Sequence, residues 1–377
     1  QKTGSFKLRG AYTRLTHLTA EQREKGVVAA SAGNHAQGVA YAAKKLGIKA
    51  TIFMPLGVAL PKLQATRGYG AAVELGGVSV DECITRAKTF AAETGATFVS
   101  PFDDARIITG QGTLGLEIVE DVPDVDTIIV PVGGGGLIAG VAMAAKERAK
   151  ADGRQVRVIG VQSENVSSYK PSLAAGKPLR QDPNPTIADG IAVLQPGELN
   201  LSLVQQYVDE FVTVSDEELA LAIVLLLERA KLSVEPSGAA GVAAIVSGKI
   251  KPKGKTAVVL SGGNFDPLLL QKVIGFGLAS ASRYLKLRVA LPDRPGQLVR
   301  VAELIAKQNA NVVEVIHTRH STELTLSAVG IELHIETRGV EHGEAIISAL
   351  RTAGYRVQDV TLSATAPYTS EHNIVKQ

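Results

Sequence analysis

The stretch TIIVPVGGGGLIAGVAMAAKERA, residues 127–149, decides the fold. It opens with β-branched and apolar residues, which are typical of a buried strand. Four glycines, Gly133 to Gly136, interrupt the apolar run, and a helical pattern then continues to Ala149. A strand, a glycine-rich loop and a helix in this order predict a βα unit whose loop surrounds an anion with backbone N–H groups. The same interruption argues against a membrane helix, which needs ~20 continuous apolar residues.

Short apolar runs alternate with amphipathic stretches along most of the chain. Strands are predicted at 26–30, 50–54, 72–75, 127–130, 156–161 and 256–260, and helices at 36–46, 62–68, 80–94, after the tetraglycine to 149, and 216–231. Ser215 is expected to cap the last of these helices, and the polar, Pro-rich stretch 170–185 interrupts the alternation. Strands separated by helices predict an α/β fold with a mostly parallel, helix-covered sheet.

The pattern changes after residue 281. The predicted order is strand 284–291, helix 295–308, strand 311–318, strand 329–337, helix 340–353 and strand 356–362. This βαββαβ order is that of the ferredoxin-like unit. We therefore expect a separate C-terminal domain.

Composition limits the possible partners and compartment. The 377 residues suffice for two or three domains, and the net charge of +3, without a basic run, disfavours nucleic acid. Cys83 is the only cysteine, so an internal disulfide is excluded and no metal site can be built on thiols. The start at Gln1 shows no apolar leader, so we expect a cytoplasmic protein without a membrane segment.

Four further motifs place reactive or polar groups at expected strand ends and helix starts. They are QKTGSFKLRGA (1–11), SAGNHAQG (31–38), VEPSGA (234–239) and SGGN (261–264). Each also has a purely structural interpretation. A lone lysine is usually a solvated charge, Ser31 could cap a helix, Glu235 could complement a helix dipole, and SGGN could be an ordinary turn.

The tetraglycine loop has an alternative of its own. Gly134, Gly136 and Ala139 fit the dinucleotide fingerprint GxGxxA by spacing. That fingerprint needs an acidic residue at the end of the following strand, where Gln162 stands instead. A dinucleotide is therefore disfavoured.

Taken together, these motifs resemble those of the threonine dehydratases, which are fold-type-II pyridoxal-phosphate (PLP) enzymes, over residues 1 to about 362. The resemblance implies a two-lobed, tryptophan synthase β-like catalytic part. Its large PLP-binding lobe would comprise 1–27 and 105–281, and its small substrate-binding lobe 28–104. Because the family has further elements of the large lobe before the lysine, we expect an N-terminal part to be missing.

The resemblance also implies roles for single residues. Lys7 would hold PLP covalently and act as the catalytic base, which requires a partly deprotonated amine in a desolvated pocket. Other cofactor contacts would come from Phe6, Asn34, Gly133, Gly134, Gly135, Gly136, Leu137, Glu235 and Ser261. The substrate carboxylate would be bound by Ser31, Gly33, Asn34 and His35. No divalent metal is expected, because Gln162 replaces the glutamate that binds one in serine racemases of this family.

The activity implied is dehydration and deamination of L-threonine, and of L-serine, to 2-oxobutyrate or pyruvate and ammonia. A serine racemase is an alternative. Ala32 argues against it, because those racemases have at this position a second serine, proposed as their acid and base, whereas alanine transfers no proton. A catalytically silent amino-acid sensor is a further alternative.

DRPGQL, residues 293–298, followed by Asn311 at the next strand, resembles the ligand loop of ACT domains. On this resemblance, residues 284–363 form an ACT domain that binds a regulatory amino acid. The effector contacts would be Asp293, Pro295, Gly296, Leu298 and Asn311. Isoleucine or valine is the expected effector, since the family suggests isoleucine biosynthesis. A homodimer or homotetramer is expected, because paired ACT domains usually create the effector site.

Overall fold

The computed structural model describes residues 2–318 and 328–361. The chain divides into two compact units, with the division between Leu270 and Gln271. The sequence places the domain boundary slightly later, between 281 and 284, and that boundary, like the division into two lobes, stays a prediction.

The first unit alternates helices and strands. Its helices are α1 (Lys7–Thr16), α2 (Ala20–Lys25), α3 (Asn34–Leu46), α4 (Leu60–Gly68), α5 (Val80–Thr94), α6 (Ala105–Asp121), α7 (Gly136–Ala151), α8 (Tyr169–Ala175), α9 (Glu198–Tyr207), α10 (Asp216–Leu225) and α11 (Pro236–Val246). Its strands are β1 (Val27–Ala30), β2 (Ala50–Met54), β3 (Ala72–Leu75), β4 (Thr97–Phe98), β5 (Thr127–Pro131), β6 (Arg157–Ser163), β7 (Glu210–Val214) and β8 (Thr256–Val258). Helix α12 (Pro267–Ser280) follows.

These strands form two sheets, in the orders β3-β2-β1-β4 and β7-β6-β5-β8. Every pairing in them is parallel, so the predicted parallel α/β fold is confirmed. Separate apolar clusters pack on them, around Val39 and Ile52 for the first sheet and around Ile128 and Ile138 for the second. Burial of each such side chain stabilises the fold by about 1.5–3 kcal/mol. Because the strands of each sheet are parallel, the loops that follow them lie at the same edge of that sheet, although they come from distant parts of the sequence.

Several predicted element ends are corrected by the structure. Helix α10 has the expected Ser215 cap, in a capping box with Glu218, but a π-helical turn, Leu226–Ala230, replaces its predicted last part. A π turn adds a residue to the hydrogen-bonded ring, which apolar periodicity does not reveal. Ser31 does not cap α3: the N-cap is Gly33, and the Ser31 hydroxyl accepts from the Gly33 N–H in the preceding turn.

The second unit contains β9 (Tyr284–Pro292), α13 (Gln297–Lys307), β10 (Asn311–Thr318), β11 (Ala328–Glu336), α14 (Val340–Thr352) and β12 (Arg356–Asp359). Its sheet has the order β10-β11-β9-β12 and is antiparallel throughout, so the βαββαβ order is confirmed. Helix α13 begins two residues after Pro295, because its N-cap Gly296 has a φ of 85°. Of the predicted domain 284–363, residues 319–327 and 362–363 lie outside the described residues.

The stretch 127–149 forms β5, the glycine loop and most of α7. Across 2–318 and 328–361, no helix has the length and apolar character to cross a membrane.

Candidate active site

Lys7 opens helix α1 beside the SGGN turn. The preceding backbone is pinned there, because Phe6 N–H donates to the Ser261 carbonyl at 3.0 Å and Ser5 pairs with Gly262. The Lys7 amine donates to the Pro101 carbonyl at 2.8 Å and lies 5.2 Å from the Phe6 ring centre. Burial lowers the pKa of Lys7 to about 8, against the opposing charge of Glu235. The amine is therefore close to deprotonation at neutral pH, as a nucleophile or base requires.

Asn34, the first residue of α3, joins three of the motifs. Its amide nitrogen donates to Glu235 Oε1 at 2.6 Å, and its carbonyl oxygen accepts from Asn264 at 2.6 Å. Asn264 also donates to the Thr3 carbonyl at 2.8 Å, which ties the turn to the N-terminal motif. The sequence assigns no role to Asn264. Its place at the end of the SGGN motif is the one signal that indicates it.

Glu235 precedes α11 but does not cap it. Its carboxylate accepts from Asn34 instead, while its place at the N-cap of α11 is still one where a negative charge complements the helix dipole. Burial raises the pKa of Glu235 to about 7. A carboxyl group and an amine with converging pKa values, both enclosed and within electrostatic reach of each other, are typical of functional sites.

His35 is buried, and its Nε2 lies 3.0 Å from the Val99 carbonyl, an acceptor to which a ring N–H donates. Burial, followed by the charge of Lys7, lowers its pKa to about 3. The ring is therefore neutral at physiological pH and supplies no positive charge. The predicted role of His35 in carboxylate binding would therefore rest on its backbone N–H at the start of α3.

The tetraglycine loop joins β5 to α7, and the N-terminus of α7 has no side-chain cap. Its backbone N–H groups can therefore serve an anion such as a phosphate. A Cβ at Gly136 would lie 2.8 Å from the Phe102 carbonyl, one at Gly134 would run into the Phe102 ring, and one at Gly135 would run into the Tyr169 hydroxyl. Only glycine fits these positions. Leu137 is buried in the core below, so its side chain is not a phosphate contact.

The glycine loop is held by hydrogen bonds from residues that the sequence did not indicate. The Tyr169 hydroxyl and the Asn200 amide both donate to the Gly134 carbonyl, at 3.1 and 3.0 Å. Asn200 also donates to Phe102 O at 3.1 Å, and Asp103 accepts from Asn200 N–H. These residues come from three separate segments and form no local motif, so no pattern in the sequence indicates them.

The segment around Asp189 completes the enclosure. A Cβ at Gly133 would lie 3.1 Å from the Ile191 Cα, so this segment packs on the glycine loop. Asp189 pairs with Lys62 of α4 at 2.6 Å. Beside Glu235, the Ser237 hydroxyl is buried and lacks a hydrogen-bond partner in the described part of the chain. The five motifs therefore converge on one site.

These residues fit a group that carries an aldehyde, a phosphate and a polar ring. Lys7 offers an enclosed amine of lowered pKa, the glycine loop offers N–H donors at a helix start, and Ser261 is nearly buried beside Phe6. The buried Ser237 hydroxyl is a further donor, because no group in the described part of the chain accepts its hydrogen bond. No group of His, Cys, Asp and Glu side chains in 2–318 and 328–361 has a metal-binding arrangement.

The predicted effector residues belong to the second unit and do not come together within one chain. Asp293, Pro295 and Gly296 are exposed in the turn after β9, and Leu298 is 41% exposed. Asn311 opens β10, opposite Glu336, which in turn pairs with Tyr284 at the other end of β9. The turn and Asn311 thus lie at opposite ends of the sheet.

Comparison with known proteins agrees with the geometry of the first unit. A family model described as "Pyridoxal-phosphate dependent enzyme" matches residues 1–262. An L-threonine ammonia-lyase from Thermotoga maritima is 49% identical over 361 residues, covering 96% of this chain and 89% of that protein. A protein of the same name from Geobacter sulfurreducens is 47% identical over 358 residues, or 95% of this chain and 88% of that one.

Two solved structures are similar to the chain. One is the processed form of threonine deaminase isoform 2 from Solanum lycopersicum, with a TM-score of 0.68, 38% identity and coverage of 73% of this chain and 80% of that one. The other is maize serine racemase, also with a TM-score of 0.68 and 38% identity, covering 72% and 83%. The chain belongs to the family of pyridoxal-phosphate dependent enzymes. PLP is its cofactor, and the interpretation as a catalytically silent sensor is not retained.

Proposed function

We propose that this chain is an L-threonine ammonia-lyase that converts L-threonine to 2-oxobutyrate and ammonia, and L-serine to pyruvate and ammonia. The observation that carries the proposal is the 47–49% identity to two proteins of that name over almost the whole chain. The enclosed Lys7 amine, with its lowered pKa, supports the same chemistry.

When bound, PLP supplies an electron sink that makes the substrate Cα–H acidic. Lys7 Nζ accepts the Cα proton, since its pKa of about 8 keeps part of the amine neutral near pH 7. The β-hydroxyl then leaves as water with an added proton, which balances the proton taken from Cα, and one water hydrolyses the resulting enamine to the 2-oxo acid and ammonia. The residues around Lys7 hold its amine in place through the Pro101 carbonyl.

The cofactor contacts follow from the positions of the loops. The glycine loop, Gly133 to Gly136, and the N–H of Leu137 would bind the phosphate at the start of α7. Phe6, Asn34, Glu235 and Ser261 would surround the ring, and the turn Ser31 to His35 would bind the substrate carboxylate. These assignments rest on the convergence of the motifs and on the family resemblance.

A serine racemase is the second candidate, since maize serine racemase is as similar in fold as the threonine deaminase. Ala32 lies in the turn between Ser31 and Gly33 and offers no group that could return a proton from the face opposite Lys7. We therefore expect elimination to dominate over inversion.

The test is a 2-oxo acid assay with L-threonine and with L-serine, combined with chiral analysis of the remaining serine. We expect 2-oxobutyrate and pyruvate as the main products and D-serine as a minor one. D-serine as the main product would reject the lyase in favour of the racemase, and the absence of turnover of either amino acid would reject both.

We also propose that residues 284–363 are an ACT domain that binds isoleucine or valine through Asp293, Pro295, Gly296, Leu298 and Asn311. Strand β10 is an edge of the sheet among the described residues, with exposed Val313 and Val315, and an open edge is available for pairing with a second chain. Antiparallel pairing of two β10 strands would bring Asn311 of one copy to the end of the sheet where its partner's β9 turn lies. Such a site would need a homodimer or homotetramer. A cytoplasmic role in isoleucine biosynthesis would match this effector.

Regulation is tested by measuring activity against isoleucine and valine for the intact chain and for a chain ending at Ala281. Effector coupling is typically ~1–3 kcal/mol, which corresponds to shifts of about 5- to 150-fold in affinity. We expect a saturable response in the intact chain and none in the shortened one. An equal response of both would place the effector site outside the second unit.

A further inference from the structure

The ion pair between Lys62 and Asp189 joins the two sheets of the first unit at the active site. Lys62 lies in α4, between strands of the first sheet, and Asp189 lies in the segment that packs on the glycine loop beside the second. Their charged atoms are 2.6 Å apart. The Lys62 amine lies beside the turn Ser31 to His35, because a Cβ placed on Gly33 would be 3.7 Å from Lys62 Nζ. Lys62 thus faces the turn that is expected to hold the substrate carboxylate.

The residues assigned to that carboxylate carry no positive charge. Ser31, Gly33 and Asn34 are neutral, and the buried His35 is neutral because its pKa is about 3. An α-amino acid keeps its carboxylate charge throughout the reaction, and a charged donor binds it more strongly than a neutral one. Lys62 is a cation that the structure places directly against Gly33 of this turn.

The two partners differ in exposure. The Lys62 side chain is 15% exposed, whereas the Asp189 side chain is 60% exposed. Releasing Asp189 into water costs little, because exposed carboxylates are well hydrated and exposed pairs are weak. Leaving the enclosed Lys62 without a partner costs much more. An arriving carboxylate can therefore replace Asp189 while Lys62 stays in place.

We propose that Lys62 is the cation that pairs with the substrate's α-carboxylate, and that Asp189 holds Lys62 in position until the substrate replaces it. This inference rests on the proposed function for the identity of the substrate, L-threonine or L-serine. The pairing with Lys62 itself needs only a substrate that carries an α-carboxylate. It makes Lys62 a binding residue of the active site and Asp189 a positioning residue that competes with the substrate.

The two roles predict that substitutions of Lys62 and Asp189 change KM in opposite directions. An ion pair with only a structural role predicts changes in the same direction. In the PLP-loaded enzyme, Lys62→Gln should raise KM for L-threonine by about tenfold or more, the loss of a charge-assisted hydrogen bond. Asp189→Asn should lower KM, by up to about fivefold, because a competing exposed partner is removed. Rises of similar size in both variants would show that the pair only holds the fold together and would overturn the proposal.

A second readout tests the carboxylate directly. L-Threonine amide replaces the carboxylate by a neutral group, so the wild type should prefer threonine over the amide strongly. Lys62→Gln should lose most of this preference, and Lys62→Arg should keep part of it. An unchanged preference in Lys62→Gln would reject Lys62 as the carboxylate partner.

Arg180→Gln is the matched control. Arg180 pairs with Asp81 of α5 at 2.6 Å and so also joins the first sheet's helices to the segment before Asp189, but both side chains are more than half exposed. We expect no change of KM in this variant. Circular dichroism and the visible absorbance of bound PLP show whether each variant is folded and loaded.

Substrate binding is also read from the change of that absorbance on adding amino acid, so the comparison does not require turnover. If the wild type processes a different α-amino acid, the proposed function fails, and the same variants tested with that amino acid still decide the role of Lys62.

Discussion

The active site and the predicted effector loop are assembled in opposite ways. Thr3, Asn34, Glu235 and Asn264 are spread along most of the first unit, yet contacts of 2.6–2.8 Å link them. Residues 293–311 are close in sequence, yet β9 places their two ends about 25 Å apart along the sheet. The candidate active site is therefore assembled within one folded unit, whereas the predicted effector residues would form one site only if a second chain contributes.

The glycines show the same difference. In the active site, Gly134, Gly135 and Gly136 are surrounded so closely that any Cβ would collide with Phe102 or Tyr169. In the predicted effector loop, a Cβ at Gly296 would meet nothing within 4 Å, and only its φ of 85° requires glycine. Packing requires glycine at all three positions of the loop, and a φ of 97° adds to that requirement at Gly135, whereas backbone conformation alone requires glycine at Gly296.

Replacing Lys7 by alanine should have the largest effect on the active site. The chain would lose both its covalent cofactor link and its base, so we expect activity to fall by at least about 10³-fold. The visible cofactor band should vanish, and borohydride should trap no adduct. Lys2→Ala is the control, because Lys2 belongs to the same motif but is exposed. Trapping of PLP on another lysine in Lys7→Ala would contradict the assignment.

Gly136→Ala tests whether the glycine loop is fixed by packing. The new Cβ would lie 2.8 Å from a backbone carbonyl that cannot move independently. We expect a loss of about 2–3 kcal/mol in unfolding free energy, typical of overpacking, together with weaker PLP binding. Gly275→Ala in α12 meets nothing within 4 Å and should be neutral or slightly stabilising. Equal behaviour of the two variants would show that the loop is adaptable. Urea unfolding and PLP titration measure both effects.

The sequence predicts most of the fold because apolar periodicity is a local property. Parallel strands separated by helices and the βαββαβ unit both follow from it. The Ser215 cap is predicted from another local property, the preference of serine for the N-cap position. The supports of the glycine loop do not, because Tyr169 and Asn200 act by donating to a backbone carbonyl far away in sequence. Such a contact leaves no periodic or spacing signal.

Boundary errors have similarly specific causes. Pro295 is compatible with a helix start, but the positive φ of Gly296 delays α13 to Gln297. Ser31 has the chemistry of a cap, but its hydroxyl accepts from the N–H of Gly33, the residue before the helix begins. The same ambiguity applies to Glu235, whose position at a helix start does not reveal that its carboxylate faces Asn34.

Glu235→Gln tests the electrostatic side of the active site. In the folded, cofactor-free chain the pKa of Glu235 is about 7, above its value in the unfolded chain, so the folded state binds more protons between about pH 4.5 and 7. The contribution of Glu235 to the unfolding free energy should therefore fall as pH rises through this window, by roughly 1–2 kcal/mol. The lowered pKa of His35 contributes an opposite slope, which both proteins share and which cancels in their difference. The amide of Gln keeps an acceptor for Asn34 and does not titrate, so the variant should lack this slope. Urea unfolding at pH 5.5 and 7.5 measures it, and identical slopes would contradict the raised pKa.

The smallest effect is expected at Gly296, where the comparison between the two regions can be inverted. Gly296→Ala should cost about 1 kcal/mol, because a Cβ in the left-handed region is strained even where it touches nothing. Gly296→Asn should cost less, since asparagine adopts this conformation more readily than alanine. If packing governed this glycine as it governs Gly136, the larger asparagine would be the worse replacement. The order of the two variants in thermal unfolding of the intact chain therefore decides whether backbone conformation alone requires glycine in this turn.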